Sequence, residues 1–161
     1  LLSGKPVDPK VFSRQIAFNV IPQIDVFMEN GYTKEEMKMV WETKKIFGDE
    51  SILVNPTAVR VPVFFGHAEA LHIETKSQIS VEEVKALLSK APGVVLCEND
   101  EDFPTQIGNA SGKDETFVGR IREDISHTNG INLWIVADNV RKGAATNSIQ
   151  IAELLIKDYL S

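Results

Sequence analysis

The chain has 161 residues, of which 43% are hydrophobic and 25% charged, and its formal net charge is −6. These proportions are typical of a globular domain with an ordinary apolar core. The acidic balance and the lack of a lysine- or arginine-rich run argue against a nucleic-acid partner or an anionic membrane surface. The longest apolar runs are far shorter than the roughly 20 residues of a membrane-spanning helix, so we expect a soluble protein.

The chain start and the single cysteine bear on location. Residues 1–10 contain glycine and proline, without an initial methionine or the pattern of a signal peptide. We therefore expect a loop there, in a chain cut from a longer polypeptide. Cys97 excludes an internal disulfide and suits a reducing compartment, which favours the cytoplasm.

The first predicted helix opens at Thr33 and runs to about Phe47. Thr33 and Glu36 have the spacing of a capping box, and apolar residues follow at helical intervals. Glu35 and Lys38 lie three residues apart, on one face, which allows an ion pair or a shared polar ligand. By the pattern alone, a solvated surface pair is the favoured interpretation.

The pattern then predicts two strand-like segments, residues 60–66 and 70–75, followed by a short helix that Ser80 and Glu83 cap. A short buried strand is expected over residues 94–97, and a long acidic loop over residues 98–116.

Two further strands are predicted at residues 117–122 and 131–136, with antiparallel pairing, before an amphipathic helix that begins at Thr146. Neighbouring strands rather than strict alternation with helices indicate an α+β fold, with a mixed, largely antiparallel sheet covered by helices. No glycine-rich turn joins a strand to a helix, so the dinucleotide fingerprint is missing from this sequence.

Arg60 and His67 are the most informative pair, because they lie inside an apolar segment. Arginine can hold a carboxylate by two parallel hydrogen bonds, and histidine can exchange a proton near pH 7. Polar side chains on an edge strand that face water are an equal alternative. Residues seven apart on a regular strand point to opposite faces, so a shared pocket requires a bend, for which Pro62 and Gly66 are plausible places.

The other candidates for chemistry are weaker. His127 lies in a polar connection and His72 is expected on the polar face of a strand, whereas His67 follows a glycine that permits a bend or a close approach. Cys97 lies in an apolar run and is interpreted as a buried structural thiol. A metal site is disfavoured, because no histidine pair has helical spacing and Cys97 has no cysteine companion.

Several stretches together carry a family resemblance: FNVIPQID at 18–25, EEMK at 35–38, ETKKI at 42–46, VRVP at 59–62, GHAE at 66–69, VGRIR at 118–122 and DNVRKGAA at 138–145. From about Arg14 to Leu160 the chain resembles the C-terminal half of bacterial aspartate-semialdehyde dehydrogenase. That half is the catalytic and dimerisation domain, which is similar to the second domain of glyceraldehyde-3-phosphate dehydrogenase.

The resemblance implies an oxidoreductase that makes L-aspartate 4-semialdehyde, NADP and phosphate from L-aspartyl 4-phosphate and NADPH. This step leads to threonine, methionine and, through diaminopimelate, lysine. It further implies that Arg60 holds the substrate carboxylate, Glu35 binds the substrate amino group and Lys38 helps to hold phosphate. His67 would be the general acid/base, and Asn139 would touch NADP.

The resemblance also implies one domain over residues 1–161 that forms a homodimer, possibly a tetramer. Its last helix, about 146–160, would pack toward a Rossmann domain that precedes it. The family's nucleophilic cysteine, its substrate-positioning glutamine and its NADP-binding turn have no match here, and Cys97 does not match the nucleophile. We therefore expect this chain alone to be inactive. The alternative is a binding or dimerisation module without catalysis.

Overall fold

The computed structural model describes Gly4, Pro6 and the residues 8–99 and 101–160. The chain divides into two compact units, Leu1–Val63 and Phe64–Ser161. A single domain over the whole chain stays a prediction. The loop expected over residues 1–10 lies partly outside the described residues. No helix among the described residues is long and apolar enough to cross a membrane.

Helix α1, Lys34–Phe47, is the main regular element of the first unit and confirms the predicted helix. Thr33 Oγ1 accepts the N–H of Glu36, and Glu36 Oε2 accepts the N–H of Thr33 at 2.7 Å. This capping box satisfies two of the backbone donors that the first turn leaves without partners. Gly48 ends the helix at a φ of +63°, which glycine adopts without a steric cost.

Glu36 also ties α1 to the segment that leads to Arg60. Its Oε1 accepts the N–H of Ala58 at 2.9 Å, and its side chain is buried beside Thr33. The hydrogen bond from the Thr33 N–H, and next that from the Ala58 N–H, lower the pKa of Glu36 below its ordinary value. A buried carboxylate therefore fixes the backbone two residues before Arg60.

The predicted strand over residues 60–66 was wrong. Arg60 makes an isolated antiparallel bridge with Ile21, with N···O distances of 2.8 and 3.0 Å. The chain then turns at Pro62, because the N–H of Val63 bonds back to the carbonyl of Val61 at 2.9 Å. Proline has no N–H to give to a strand ladder, so pairing stops there. The chain bends at Pro62, and Gly66 has a φ of +83°, so the backbone departs from a regular strand at both residues that the sequence suggested.

The second unit is built on a four-stranded sheet in the order β1-β4-β3-β2. The strands are β1, His67–Glu74; β2, Val94–Leu96; β3, Thr116–Glu123; and β4, Gly130–Ala137. The β1–β4 and β3–β4 pairs are antiparallel, and β2–β3 is parallel. The predicted α+β fold with a mixed, largely antiparallel sheet is confirmed. The similarity to glyceraldehyde-3-phosphate dehydrogenase stays a prediction.

Strand β3 contains a bulge between Gly119 and Arg122. Gly119 pairs with Trp134 and Arg122 with Asn132, so two residues of β3 oppose one residue of β4. Arg120 occupies the bulge at a φ of +54°, in the left-handed region that non-glycine residues rarely adopt. The bulge changes the alternation of β3, so Ile121 joins the buried face.

Helix α2, Val81–Leu88, covers one face of this sheet, and its predicted capping box at Ser80 and Glu83 is confirmed. Four buried residues, Val118, Ile121, Ile131 and Leu133, form the centre of the core. Val81, Val84 and Leu88 of α2 pack against them from the helix side. The apolar stripe seen in the sequence is thus the stripe that meets the sheet.

The opposite face of the sheet carries Trp134 and is partly covered by the loop after β2. Trp134 Nε1 donates to the carbonyl of Pro104 at 2.9 Å, and Pro104 is fully buried. Gly119 allows this approach, because an added Cβ would lie 2.6 Å from Pro104 Cδ. The loop predicted over residues 98–116 also contains a π-helical turn, Gln106–Ala110, and it ends where β3 begins at Thr116.

The chain continues through a π-helical turn, Arg141–Ala145, into helix α3, Thr146–Leu155, and a final π-helical segment, Ile156–Leu160. Helix α3 confirms the predicted start at Thr146. Its apolar side chains remain half or more exposed, at 60% for Ile149 and 56% for Leu154. Packing of this helix toward a preceding domain stays a prediction.

Candidate active site

Arg60 lies at a small cavity in the first unit. The cavity has a volume of about 150 Å³, and Phe12, Ile21, Gln23 and Asp25 line it with Arg60. The guanidinium carbon is 5.4 Å from the centre of the Phe12 ring, which is within the range of a cation–π contact. The backbone bridge to Ile21 and the Phe12 ring hold the half-buried Arg60 in place. Its guanidinium therefore lies at an opening suited to a small anionic group.

Glu35 and Lys38 form an ion pair on the exposed side of α1. Lys38 Nζ is 3.2 Å from Glu35 Oε2, and their side chains are 42% and 37% exposed. The Glu35 hydrogen bond and charge are the main causes that raise the pKa of Lys38. The shared helix face predicted from the spacing is confirmed. The two groups offer a carboxylate and an ammonium side by side, and their roles as ligands stay predictions.

The sequence interpretation gave no role to Asp25, although it ends the FNVIPQID stretch. Asp25 lines the Arg60 cavity at a φ of +68°, and its Oδ1 accepts the N–H of Val26 at 2.7 Å. Its charge also contributes to the raised pKa of Lys38. The cavity therefore has a cation and an anion in its lining, which suits a ligand that carries both charges. The left-handed backbone of a non-glycine residue is a recognised sign of a functional position, but it is not visible in the sequence.

His67 is the first residue of β1 in the second unit, and its side chain is exposed. Its backbone pairs with Ala137 at the end of β4, so a ladder rung fixes it. Within the described part of the chain, no group hydrogen-bonds to the His67 ring. An exposed imidazole on a fixed backbone can exchange a proton with a bound molecule.

Asn139 lies beside the residue that precedes His67. Its Oδ1 accepts the N–H of Gly66 at 3.2 Å, across 73 positions of sequence. The structure thus brings Asn139 to the start of β1, whereas the sequence resemblance placed it only near a cofactor. Asn139 is exposed, which leaves the amide Nδ2 accessible as a donor. A role of Asn139 in cofactor binding stays a prediction.

The remaining histidines and the cysteine lie where the sequence pattern indicated. His72 is exposed, and its Nδ1 is 3.3 Å from Asp124 Oδ2 while its Nε2 is 3.3 Å from Glu74 Oε1. His127 is exposed in the turn before β4 and accepts the N–H of Asn129. Cys97 is buried, and desolvation is the main cause that raises the pKa of its thiol. These features match a structural thiol rather than a nucleophile.

A second cavity, of about 350 Å³, lies on the Trp134 face of the sheet and was not anticipated. Phe103, Thr105, Arg120, Arg122 and Trp134 are among its lining residues. Arg120 and Arg122 are two positions apart in β3, at the bulge, and both line this cavity. A mixed aromatic and cationic surface of this kind is common where proteins associate.

Comparison with known proteins agrees with this geometry. Residues 1–142 match the model of the family described as semialdehyde dehydrogenase, dimerisation domain. An aspartate-semialdehyde dehydrogenase from a Shewanella species is 67% identical over 159 residues, which cover 99% of this chain and 47% of the relative. Aspartate-semialdehyde dehydrogenase 2 from Vibrio cholerae is 65% identical with the same shares covered.

The solved structures show the same fold. The crystal structure of aspartate semialdehyde dehydrogenase II from Vibrio cholerae has a TM-score of 0.94 at 65% identity, covering 98% of this chain and 47% of that one. A Candida albicans enzyme solved with NADP has a TM-score of 0.65 at 28% identity, covering 87% and 45%. The chain spans about half the length of the curated relatives it matches. It belongs to the semialdehyde dehydrogenase family, of which it is a dimerisation domain.

Proposed function

We propose that this domain is the catalytic and dimerisation half of an NADP-dependent aspartate-semialdehyde dehydrogenase in the cytoplasm. The reaction is the reductive dephosphorylation of L-aspartyl 4-phosphate to L-aspartate 4-semialdehyde. The exposed imidazole of His67 on a fixed strand start carries the proposal, because it can move a proton at the reacting carbonyl. The nucleophile and the dinucleotide-binding turn are expected in the half of the relatives' length that this chain does not match.

The charged groups of the first unit give the substrate its orientation. Arg60 holds the α-carboxylate at the mouth of its cavity, where a guanidinium can make two parallel hydrogen bonds. Glu35 takes the ammonium group, and Lys38 takes the phosphate when it exchanges its partner in the ion pair. Both side chains are partly exposed, so the pair costs little to open. Asp25, which also lines the Arg60 cavity, adds a negative charge that suits the substrate ammonium group.

The residues of the second unit serve the chemical step. His67 holds or releases a proton at a ring nitrogen, as a general acid/base does. NADP, when bound, supplies the hydride chemistry. Asn139 would contact it through the amide Nδ2, since Oδ1 already accepts the Gly66 N–H.

The test is turnover of the intact polypeptide, assayed as phosphate-dependent reduction of NADP with aspartate semialdehyde. His67→Asn should lower kcat by about 10² to 10⁴, the usual contribution of a general acid/base. His72→Asn is the matched control, because His72 is an exposed histidine of the same strand. It should keep kcat. Equal activity of both variants would remove the acid/base role and favour a binding module.

The family description and the arginine–tryptophan cavity support a homodimer, with a tetramer as a dimer of dimers. The buried centre of a subunit interface is enriched in aromatic side chains and arginine, as this face is. Light scattering of the intact polypeptide should give a mass of at least two chains. A stable monomer at micromolar concentration would contradict this part of the proposal.

A further inference from the structure

Three contacts converge on Gly66, the residue before His67. The Gly66 N–H donates to Asn139 Oδ1 at 3.2 Å. A Cβ at Gly66 would lie 3.0 Å from Gln106 Cγ and 3.1 Å from the carbonyl oxygen of Ala137. Its φ of +83° is a conformation that glycine adopts without strain. The backbone entering β1 is therefore packed against its neighbours on several sides.

Asn139 is itself held by the residue before it. Asp138 is buried, and its Oδ2 accepts the N–H of Gly112 at 2.9 Å, while its Oδ1 accepts those of Val140 and Arg141. The hydrogen bond from Gly112, and next that from Arg141, lower the pKa of Asp138. A charged carboxylate that receives three backbone N–H groups fixes the exit of β4, and with it the position of the Asn139 side chain.

The carbonyl of Ala137 adds the third constraint. Ala137 pairs with His67 in β1 and with Thr116 in β3, so it belongs to the central strand of the sheet. The start of β1 is thereby attached to β4, an inner strand of the sheet. The hydrogen bond from the Gly66 N–H to Asn139 holds the residue just before β1. His67 has no ring contact within the described residues, so its position depends on this backbone.

We infer that Asn139 is a positioning residue that fixes the Gly66–His67 backbone through its side-chain oxygen, in addition to any contact with the cofactor. The inference rests on the proposed function. Gly66 is the second residue that this arrangement requires, since only a glycine leaves room for the approach of Gln106 and Ala137. An imidazole displaced by about 1 Å can cost on the order of a hundredfold in rate.

Asn139→Asp and Asn139→Ala in the intact polypeptide separate the two roles. Aspartate retains an oxygen acceptor for the Gly66 N–H and loses the amide donor, whereas alanine loses both. We expect kcat to fall in both variants, because both lose the amide donor, and to be about ten- to a hundredfold lower in Asn139→Ala than in Asn139→Asp. Binding of NADP, measured by calorimetric titration, should weaken in both. Asn99→Ala, at an exposed asparagine of the loop after β2, is the control and should change neither quantity.

Gly66→Ala tests the same hydrogen bond at its donor residue, whereas the Asn139 variants test the acceptor. It should lower kcat with unchanged affinity for NADP, because Gly66 acts on the backbone. Circular dichroism establishes that each variant is folded, and if Gly66→Ala is unfolded the Asn139 pair alone decides. An equal loss of kcat in Asn139→Ala and Asn139→Asp would overturn the inference, as would an unchanged kcat in Asn139→Ala. A fully active His67→Asn would instead overturn the proposed function, so the two failures are distinct.

Discussion

Replacing Glu36 by alanine should destabilise the first unit more than the matching replacement, Glu83→Ala, destabilises the second unit. Glu36 accepts two hydrogen bonds from Thr33 and a third from the N–H of Ala58. Glu36→Ala removes the Glu36 half of the capping box, which costs about 1 kcal/mol, while Thr33 still accepts the backbone N–H of residue 36. Loss of a charged acceptor for the Ala58 N–H adds about 1.5–3 kcal/mol. The expected total for Glu36→Ala is about 2.5–4 kcal/mol of unfolding free energy.

Glu83 provides the matched control for this prediction. It forms the same capping box with Ser80, at 2.9 and 3.0 Å, and the described structure gives it no bond to a distant backbone group. Glu83→Ala should therefore cost only its half of the capping box, which is less than the cost of Glu36→Ala. The comparison is made on the intact polypeptide by denaturant unfolding, with hydrogen exchange at Ala58 and in α2 to assign each loss to its unit. Equal costs for the two variants would refute the structural role of the Ala58 bond.

The same carboxylate gives the stability a pH dependence with a defined sign. The folded pKa of Glu36 lies below the ordinary value of 4.5 because of its hydrogen bonds. The Glu36 carboxyl thus binds a proton more tightly in the unfolded state than in the folded state. Its contribution to the free energy of unfolding is present above the pKa of the unfolded state and is lost as the pH falls through the pKa of the folded state. Glu36→Gln cannot titrate, so its stability deficit relative to the unmodified protein should shrink as the pH falls below the ordinary glutamate pKa of 4.5.

Two further outcomes follow from burial in the second unit. Alkylation of Cys97 by iodoacetamide should be slow in the folded protein and fast in urea, since burial raises the pKa of its thiol; rapid modification under native conditions would contradict its structural role. Gly119→Ala should destabilise by about 1–3 kcal/mol, because its Cβ would lie 2.6 Å from the buried Pro104. Gly143→Ala meets no atom closer than 3.7 Å, so a similar loss there would show that the Pro104 contact is not the cause.

Local signals were enough to predict the helices and most of the strands. Both capping boxes are contained within four residues, and each marks a helix start to the residue. The alternation in β4 is likewise local, because a half-buried strand shows its own period. Residues 60–66 were misassigned since an apolar run indicates burial, yet Phe64 is 91% exposed in this structure. Whether another part of a polypeptide covers such a run is not encoded in the run itself.

Candidate site residues could be selected where residue type alone determines the chemistry. Arg60 and His67 could be selected because a guanidinium and an imidazole each suit one task, and Gly66 distinguished His67 from His72. The Asn139–Gly66 bond joins residues 73 positions apart, and the Asp25 contribution depends on a left-handed backbone conformation. Contacts of that kind arise from tertiary structure, so a single sequence does not contain their signal.

The boundary between the two units falls between Arg60 and His67, which changes how their seven-residue spacing is understood. The two side chains are not neighbours on one strand. A bridge to Ile21 positions Arg60, and a rung to Ala137 positions His67. Under the proposed function, substitutions that loosen the first unit, such as Glu36→Ala, should act mainly on the KM for aspartate semialdehyde. Substitutions that displace the start of β1, such as Asn139→Ala, should act on kcat. A common loss of both parameters from either substitution would mean that binding and proton transfer do not have separate supports.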